Sequence, residues 1–480
     1  MTGLLIRNVL VDGFHGQGQP SDVRVDDGVV SEMGTGLAAA GSVIVVDGRG
    51  GALLPGLCDH HLHLHAMAAA ASSVPCGPPQ VADAGGLRKA LATAAGNEYG
   101  WVRGTGYFES VAGDLDAAAI DRLHDARPVR IQHRSGALWM LNTAAAAAVG
   151  LDAGEHPGIE RDTSGGATGR LWRADEWLRS RLPAAAPPSL GGIGTTLSSL
   201  GITSVTDATP ELSASSAAAI AADMAAGRLP QRVQLLGTPL SASTPGASAP
   251  GPGRQPTTGP YKVVIADSQL PALDDLAALI ARAHAAGRPV AVHCVSRVAL
   301  FLLLAALDAA AVMPGDRLEH AAVVPASTIE PLRRRGLRVV TQPGFIAWRG
   351  DDYQRLMEPE ELPDLYRFRT LLAGGVRVGL SSDAPYGPLD PWAVMQASMD
   401  RLPPGGGQSL GPQERVTGVE ALAGYLSGPA DPGGAPRQIR PGGAADLVLL
   451  HCSKRELLAG PDAAMVRMTV IAGEPVFGQY

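Results

Sequence analysis

The chain has 480 residues, 45% of them hydrophobic and 18% charged, the make-up of a large globular enzyme, and it exceeds the about 250 residues that one α/β barrel needs. A net charge of −7 with no stripe of Lys and Arg excludes the electrostatic footprint of a nucleic-acid binder. The start Met1-Thr2-Gly3-Leu4-Leu5-Ile6 lacks the segments of a secretory leader and no apolar run reaches membrane-spanning length, so a cytoplasmic protein with no membrane contact is expected.

Short β-type runs come first, at Leu4 to Val11, Asp22 to Val30 and Ser42 to Asp47, broken by turns such as Asp26-Asp27-Gly28. Then follows Leu53-Leu54-Pro55-Gly56-Leu57-Cys58-Asp59-His60-His61-Leu62-His63-Leu64-His65. The stretch from about 72 to 190 is too long for one connection and must carry its own structure.

Beyond it, apolar β-rich runs alternate with Ala/Leu-rich helical stretches, the pattern of βα units around a parallel sheet. Gly201 to Val205 precedes a helix from about Leu212, and Arg288 to His293 precedes one from about Val298. The strands Gly336 to Val340 and Gly375 to Leu380 each follow a helix ending in Gly, while residues 240–259 read as an irregular loop. Strand-like Ala445 to Leu450 and Val466 to Gly473 close the chain.

The expected fold is therefore α/β: a (β/α)8 TIM barrel over 55–430, with an insertion around 72–190. A small β-sandwich domain is expected from both termini, 1–54 and 431–480.

Histidine is scarce, and its placement is informative. Residues two apart in a strand share a face, so His61 and His63 can chelate one ion at the barrel mouth, but His65 has the same parity, so parity alone does not choose the pair. His293 closes the run Val290-Ala291-Val292, His320 follows Asp316-Arg317-Leu318-Glu319 and Asp383 follows Val378-Gly379-Leu380-Ser381-Ser382, each at the carboxyl end of a presumed strand, and Lys262 sits within Tyr261-Lys262-Val263-Val264-Ile265. Catalytic groups of such barrels gather at that face. His60 and His65 are expected behind the ligands or at the mouth. Cys58, Cys76, Cys294 and Cys452 lack paired spacing and read as reduced thiols, with Cys58 and Cys294 packed as small apolar residues beside the ligands.

With these residues in view, the chain resembles the amidohydrolase superfamily, and within it the N-substituted formamide deformylase-like branch, amidohydrolase family 3. The resemblance rests on Pro55-Gly56 through His63, Trp101-Val102-Arg103-Gly104-Thr105-Gly106-Tyr107, Asn142-Thr143-Ala144-Ala145 and Gly201 to Ala208. It continues through Arg317-Leu318-Glu319-His320-Ala321, Ser382-Asp383-Ala384-Pro385, Leu389-Asp390-Pro391-Trp392 and Ile439 to Val448.

The resemblance implies that His61, His63 and Asp383 bind the more buried of one or two divalent ions, with zinc the expected metal. It implies further that Lys262 is N-carboxylated and bridges to a second ion held by His293 and His320. It also implies a homodimer. Two departures bear on the substrate. Gly136-Ala137 stands where relatives carry Gly-His, so His133 or Arg134 is expected to take the polar role, and Cys294-Val295-Ser296-Arg297 exchanges an acid for a base. Arg297 and Tyr386, beside ligand-bearing ends, are the other substrate-binding candidates.

The expected activity is hydrolysis of a C–N bond in a small molecule, an amide, formamide or cyclic amide, by a metal-activated water, with Asp383 as proton shuttle. The alternatives are lactone or phosphate-ester hydrolysis on the same metals, and a barrel without catalysis that serves in binding or assembly. Deamination is disfavoured, because Cys294-Val295-Ser296-Arg297, directly after His293, offers no Glu to protonate a ring nitrogen.

Overall fold

In the computed structural model of the chain, Asp27 and Gly28 both take positive φ, 50° and 80°, as a two-residue type I′ turn requires. They join β2 (Pro20–Asp26) to β3 (Val29–Gly34) in an N-terminal sheet of order β3-β2-β1-β4, where β1 is Gly3–Leu10 and β4 is Val43–Asp47. The structure describes residues 3–11, 20–39, 43–183, 188–241 and 255–478. Ser42, His15 and most of the expected 240–259 loop lie outside the described residues.

The chain divides into two compact units, Met1–Leu64 with Ser189–Tyr480, and His65–Pro188. In the first unit, β5 (Leu53–Pro55) leads into β6 (Leu57–Leu62), whose side chains are all buried.

The second unit has one six-stranded sheet of order β11-β12-β10-β9-β8-β7. Its strands are β7 (Val74–Pro75), β8 (Val102–Tyr107), β9 (Val129–His133), β10 (Leu138–Leu141), β11 (Ile159–Arg161) and β12 (Ala167–Trp172). β7, β8 and β9 run parallel, and the remaining pairings are antiparallel. Alternate residues of β10 enter different cores: Leu138 and Met140 join Val129 and Ile131, whereas Trp139 and Leu141 join Leu171 and Leu178. Both faces of this sheet are therefore covered.

The first unit resumes with β13 (Ile202–Asp207), β14 (Arg232–Leu235) and β15 (Thr257–Thr258), which pair in parallel with β6 in the order β15-β14-β13-β6. A second parallel sheet runs β16-β17-β18-β19-β20, with β16 Tyr261–Val264, β17 Val290–Cys294, β18 Arg317–His320, β19 Arg338–Thr341 and β20 Arg377–Leu380.

The helices between them start and stop as their sequences dictate. Ser213 and Ser296 cap the helices Ala214–Ala225 and Arg297–Ala310, each accepting from the backbone three residues on. Gly336 and Gly375, at φ 64° and 74°, turn the chain out of the helices before β19 and β20. Backbone bonds tie each sheet to the segment that leaves the other: Lys262 N of β16 donates to Leu236 O, just past β14, at 3.1 Å, and Asp383 N, past β20, donates to His61 O of β6 at 2.8 Å.

The last sheet, β23-β22-β21-β5, pairs β21 (Leu447–Leu450), β22 (Val466–Ile471) and β23 (Glu474–Gly478) with β5. Ala472 and Gly473, at φ 50° and 80°, again form a two-residue turn. Leu4, Ile6, Val23 and Val25 share one hydrophobic cluster with Leu447, Leu449, Met468 and Val470. Each such side chain contributes on the order of 1.5–3 kcal/mol by leaving water. Among the described residues no helix is long and apolar enough to cross a membrane, and all four cysteines are free.

Candidate metal centre

β6 sorts its side chains by parity. His60 turns away from the centre, with Nδ1 3.5 Å from Cys58 Sγ and Nε2 3.1 Å from Ser427 Oγ. Burial, then the charges of Arg317 and Arg437, pull its pKa down to about 3. Asp59 accepts from His61 N at 3.0 Å and from Ser382 N at 3.3 Å, and burial pushes its carboxyl up to about 7. His65, which has the parity of His61 and His63 in the sequence, lies inside the helix Leu64–Ala71, which starts two residues after the end of β6.

Asp383, on the turn after β20, stands among three imidazoles. Its Oδ1 lies 3.2 Å from His63 Nε2 and 3.5 Å from His61 Nε2, and its Oδ2 lies 3.8 Å from His320 Nδ1. The ring centroids of His61 and His320 are 4.7 Å apart, and those of His293 and His320 are 4.4 Å apart. The structure thus brings five of the six expected ligands into one chain of contacts. One ligand atom each of His61, His320 and Asp383 falls within a common 4.8 Å, close enough to share a cation.

Lys262, the sixth, is buried; burial pulls its amine down to about 8, against the opposing pull of the Glu319 and Asp383 carboxylates.

The donor set fits a divalent ion on its own chemistry. His61 and His320 have pKa values well below the ordinary range, chiefly through burial and then through neighbouring cationic or imidazole groups. They are therefore neutral imidazoles, the form that ligates. His61 Nε2 is fully buried and has no hydrogen-bond partner, an omission worth about 1–3 kcal/mol unless something fills it. His320 at φ 72°, Ala321 at φ 45° and Asp383 at φ 56° hold left-handed backbone, which costs non-glycine residues on the order of 1–3 kcal/mol each and clusters at functional sites.

Orienting contacts surround the ligands. Thr209 Oγ1 is 3.3 Å from His63 Nδ1, and the loop carrying it is fixed by Asp207, which accepts from Leu64 N at 2.8 Å and Thr209 N at 3.0 Å. Gln342 Oε1 lies 3.1 Å from His320 Nδ1 and donates through its amide to Ser381 Oγ at 2.9 Å. Glu319 Oε2 makes a very short contact with His61 Nδ1, while its other oxygen accepts from Arg317 Nε at 2.5 Å. Sequence reasoning quoted Arg317 and Glu319 but gave them no role. Their spacing of two along β18 was the available signal that they share a face.

Among the substrate-binding candidates, Tyr386 has its ring 5.4 Å from that of His63, edge to face. Arg297 lies 3.5 Å from Glu361 and 3.6 Å from Asp364, so its charge is already met. His133 and Arg134 belong to the second unit, where His133 contacts Glu109 at 3.3 Å and Ser135 at 2.7 Å, and the Arg134 guanidinium lies over the Phe108 ring.

The profile described as "Amidohydrolase family" matches residues 44–477. An N-substituted formamide deformylase of Arthrobacter pascens is 27% identical over 89% of this chain and 89% of its own length. Among solved structures, an uncharacterized metal-dependent hydrolase from Pyrococcus horikoshii superposes with a TM-score of 0.76 at 20% identity, covering 99% of this chain and 100% of its own. N-isopropylammelide isopropylaminohydrolase from Burkholderia multivorans gives 0.52 at 16% identity, over 99% and 98% of the two chains. The chain belongs to the amidohydrolase family, enzymes that hydrolyse carbon–nitrogen bonds other than peptide bonds.

Proposed function

We propose that the chain hydrolyses the C–N bond of an amide, formamide or cyclic amide in a small molecule, on one or two divalent ions, zinc first among them. His61, His63, Asp383, Lys262, His293 and His320 would hold the metal. The observation that carries this reading is the Asp383 carboxylate, 3.2–3.8 Å from three imidazoles, beside the unpartnered Nε2 of His61.

An ion there supplies Lewis acidity, which acidifies water towards neutrality and polarises a carbonyl. Asp383 takes the proton from the attacking water and returns it to the leaving nitrogen, a role commonly worth about 10²–10⁴ in rate. The neighbouring imidazoles and the left-handed turn hold its carboxylate in place. Tyr386, edge-on to His63, would meet the substrate beside the metal. Lys262 would enter as a carbamate: burial pulls its amine down to about 8, which favours the neutral nitrogen that adds to carbon dioxide with release of a proton. A carbamate also replaces a repelling ammonium by a bridging anion.

The scaffold proposed for this centre is the two parallel ladders closed into a (β/α)8 barrel over 55–430, with a β-sandwich from 1–54 and 431–480. The cross-sheet bonds of Lys262 and Asp383 support the closure, and the shared cluster of Leu4, Ile6, Leu447 and Leu449 supports the sandwich.

Metal analysis of the purified chain, followed by turnover of a panel of N-formyl and N-acyl amides, cyclic amides, lactones and phosphotriesters, tests the proposal. Bound zinc-like metal with hydrolysis confined to the C–N substrates is expected. A metal-poor protein, or one that turns over only the esters, refutes it.

A further inference from the structure

Resting on the metal-site reading above, we infer that Glu319 is a positioning residue that fixes the tautomer of His61 and so presents Nε2 to the ion. The two residues stand 258 positions apart in sequence and meet with both side chains fully buried. A neutral imidazole has one N–H and one lone pair, and an ionised carboxylate only accepts. With Glu319 Oε2 against Nδ1, the proton must reside on Nδ1, which leaves the lone pair on Nε2. That nitrogen is the one without a partner, 3.5 Å from Asp383.

Glu319 cannot be spared for the ion itself, because Arg317 Nε holds its second oxygen at 2.5 Å. Arg317 is in turn anchored by donation from Nη2 to the carbonyl of His60 at 3.3 Å, the residue next to His61 on β6. Arg317, Glu319 and His61 thus form a buried relay with a fixed direction: guanidinium donor, carboxylate acceptor, imidazole donor. Such a carboxylate behind a ligating imidazole orients the ring and raises its basicity, and its loss typically costs about 10–100-fold in metal affinity.

Glu319→Gln tests this by keeping shape while changing hydrogen-bond polarity. Arg317, the charged donor, claims the amide oxygen, so the NH2 group faces His61 and forces the imidazole proton onto Nε2, where it blocks the ion. Zinc affinity, measured by chelator competition, should fall about 10–100-fold. In the double variant Arg317→Met/Glu319→Gln the amide is free to turn its oxygen to His61, and most of the affinity should return.

A purely structural pair predicts no such rescue. Zinc binding by Glu319→Gln equal to wild type, or a double variant no tighter than the single one, overturns the inference while leaving the metal site intact. Failure of the wild type to bind zinc overturns the site reading and this inference together. Should Glu319→Gln not fold, nitrogen-15 NMR of histidine-labelled, zinc-loaded wild type decides: His61 protonated on Nδ1 is expected, and protonation on Nε2 refutes the relay.

Discussion

The backbone amide of Asp383 donates to the carbonyl of His61 at 2.8 Å, so the proposed acid–base group and a proposed metal ligand are tied through the main chain as well as through their side chains. Asp383→Asn leaves that bond in place, and Asn tolerates the φ of 56° as Asp does. The variant should keep its melting temperature and retain metal, while turnover drops by about 10²–10⁴. Hydrolysis at the parental rate by metal-loaded Asp383→Asn rules out the shuttle role.

Zinc should stabilise the fold, since it would give the buried His61 Nε2 a partner. At a free concentration one hundred times the Kd the gain is about 2.7 kcal/mol, seen as a rise in Tm. His61→Ala and His320→Ala should each abolish the rise. A shift that persists in both variants places the ion elsewhere.

If Lys262 carries a carbamate, growth or incubation with carbon-13 bicarbonate should give a carbamate carbon resonance in the metal-loaded protein. Lys262→Ala should lack it. Full activity in Lys262→Ala with no resonance in the wild type argues for an ordinary buried amine.

Asp390 caps the helix Pro391–Asp400 by accepting from Trp392 N and Ala393 N, yet burial raises its pKa above the usual carboxylate value. A carboxyl whose folded pKa is raised binds its proton more tightly when folded, so stability falls as pH rises through that range. Asn caps equally well and has no charge to bury. Asp390→Asn should therefore be the more stable protein at neutral pH, by no more than about 1 kcal/mol, with the advantage fading in acid. Urea unfolding at several pH values measures it, and an advantage that grows in acid contradicts the assignment.

Three of the four thiols are shielded. Burial raises Cys76 to about 12 and Cys58 to about 11, and burial followed by the charge of Asp267 raises Cys294 as well. Only Cys452 is partly exposed. A thiol reagent should label Cys452 alone in the native protein and all four cysteines after unfolding. Fast native labelling of Cys58 or Cys294 would show the strands around the centre to be open.

The strands were legible because period-two alternation and Gly-ended helices are local signals. β13, β17, β19 and β20 fall within a few residues of their expected positions. Parity alone could not choose among His61, His63 and His65, and the helix that begins at Leu64 takes His65 out of the strand rule. His60 and Glu319 were opaque for another reason: their partners, Ser427 and His61, lie 367 and 258 residues away, and nothing in a linear reading selects a partner at that range. The mixed sheet of the second unit stayed illegible too, because its strands reverse direction between β9 and β10 without a change in composition.

The left-handed backbone at His320 and Asp383 narrows what a protein engineer could place there. Asn and Gly settle into such conformations, whereas Val, Ile and Thr resist them. Recasting this centre for a different ion by saturation mutagenesis would thus meet a conformational filter before any coordination preference. A useful library would first reshape the two turns, then vary the donors.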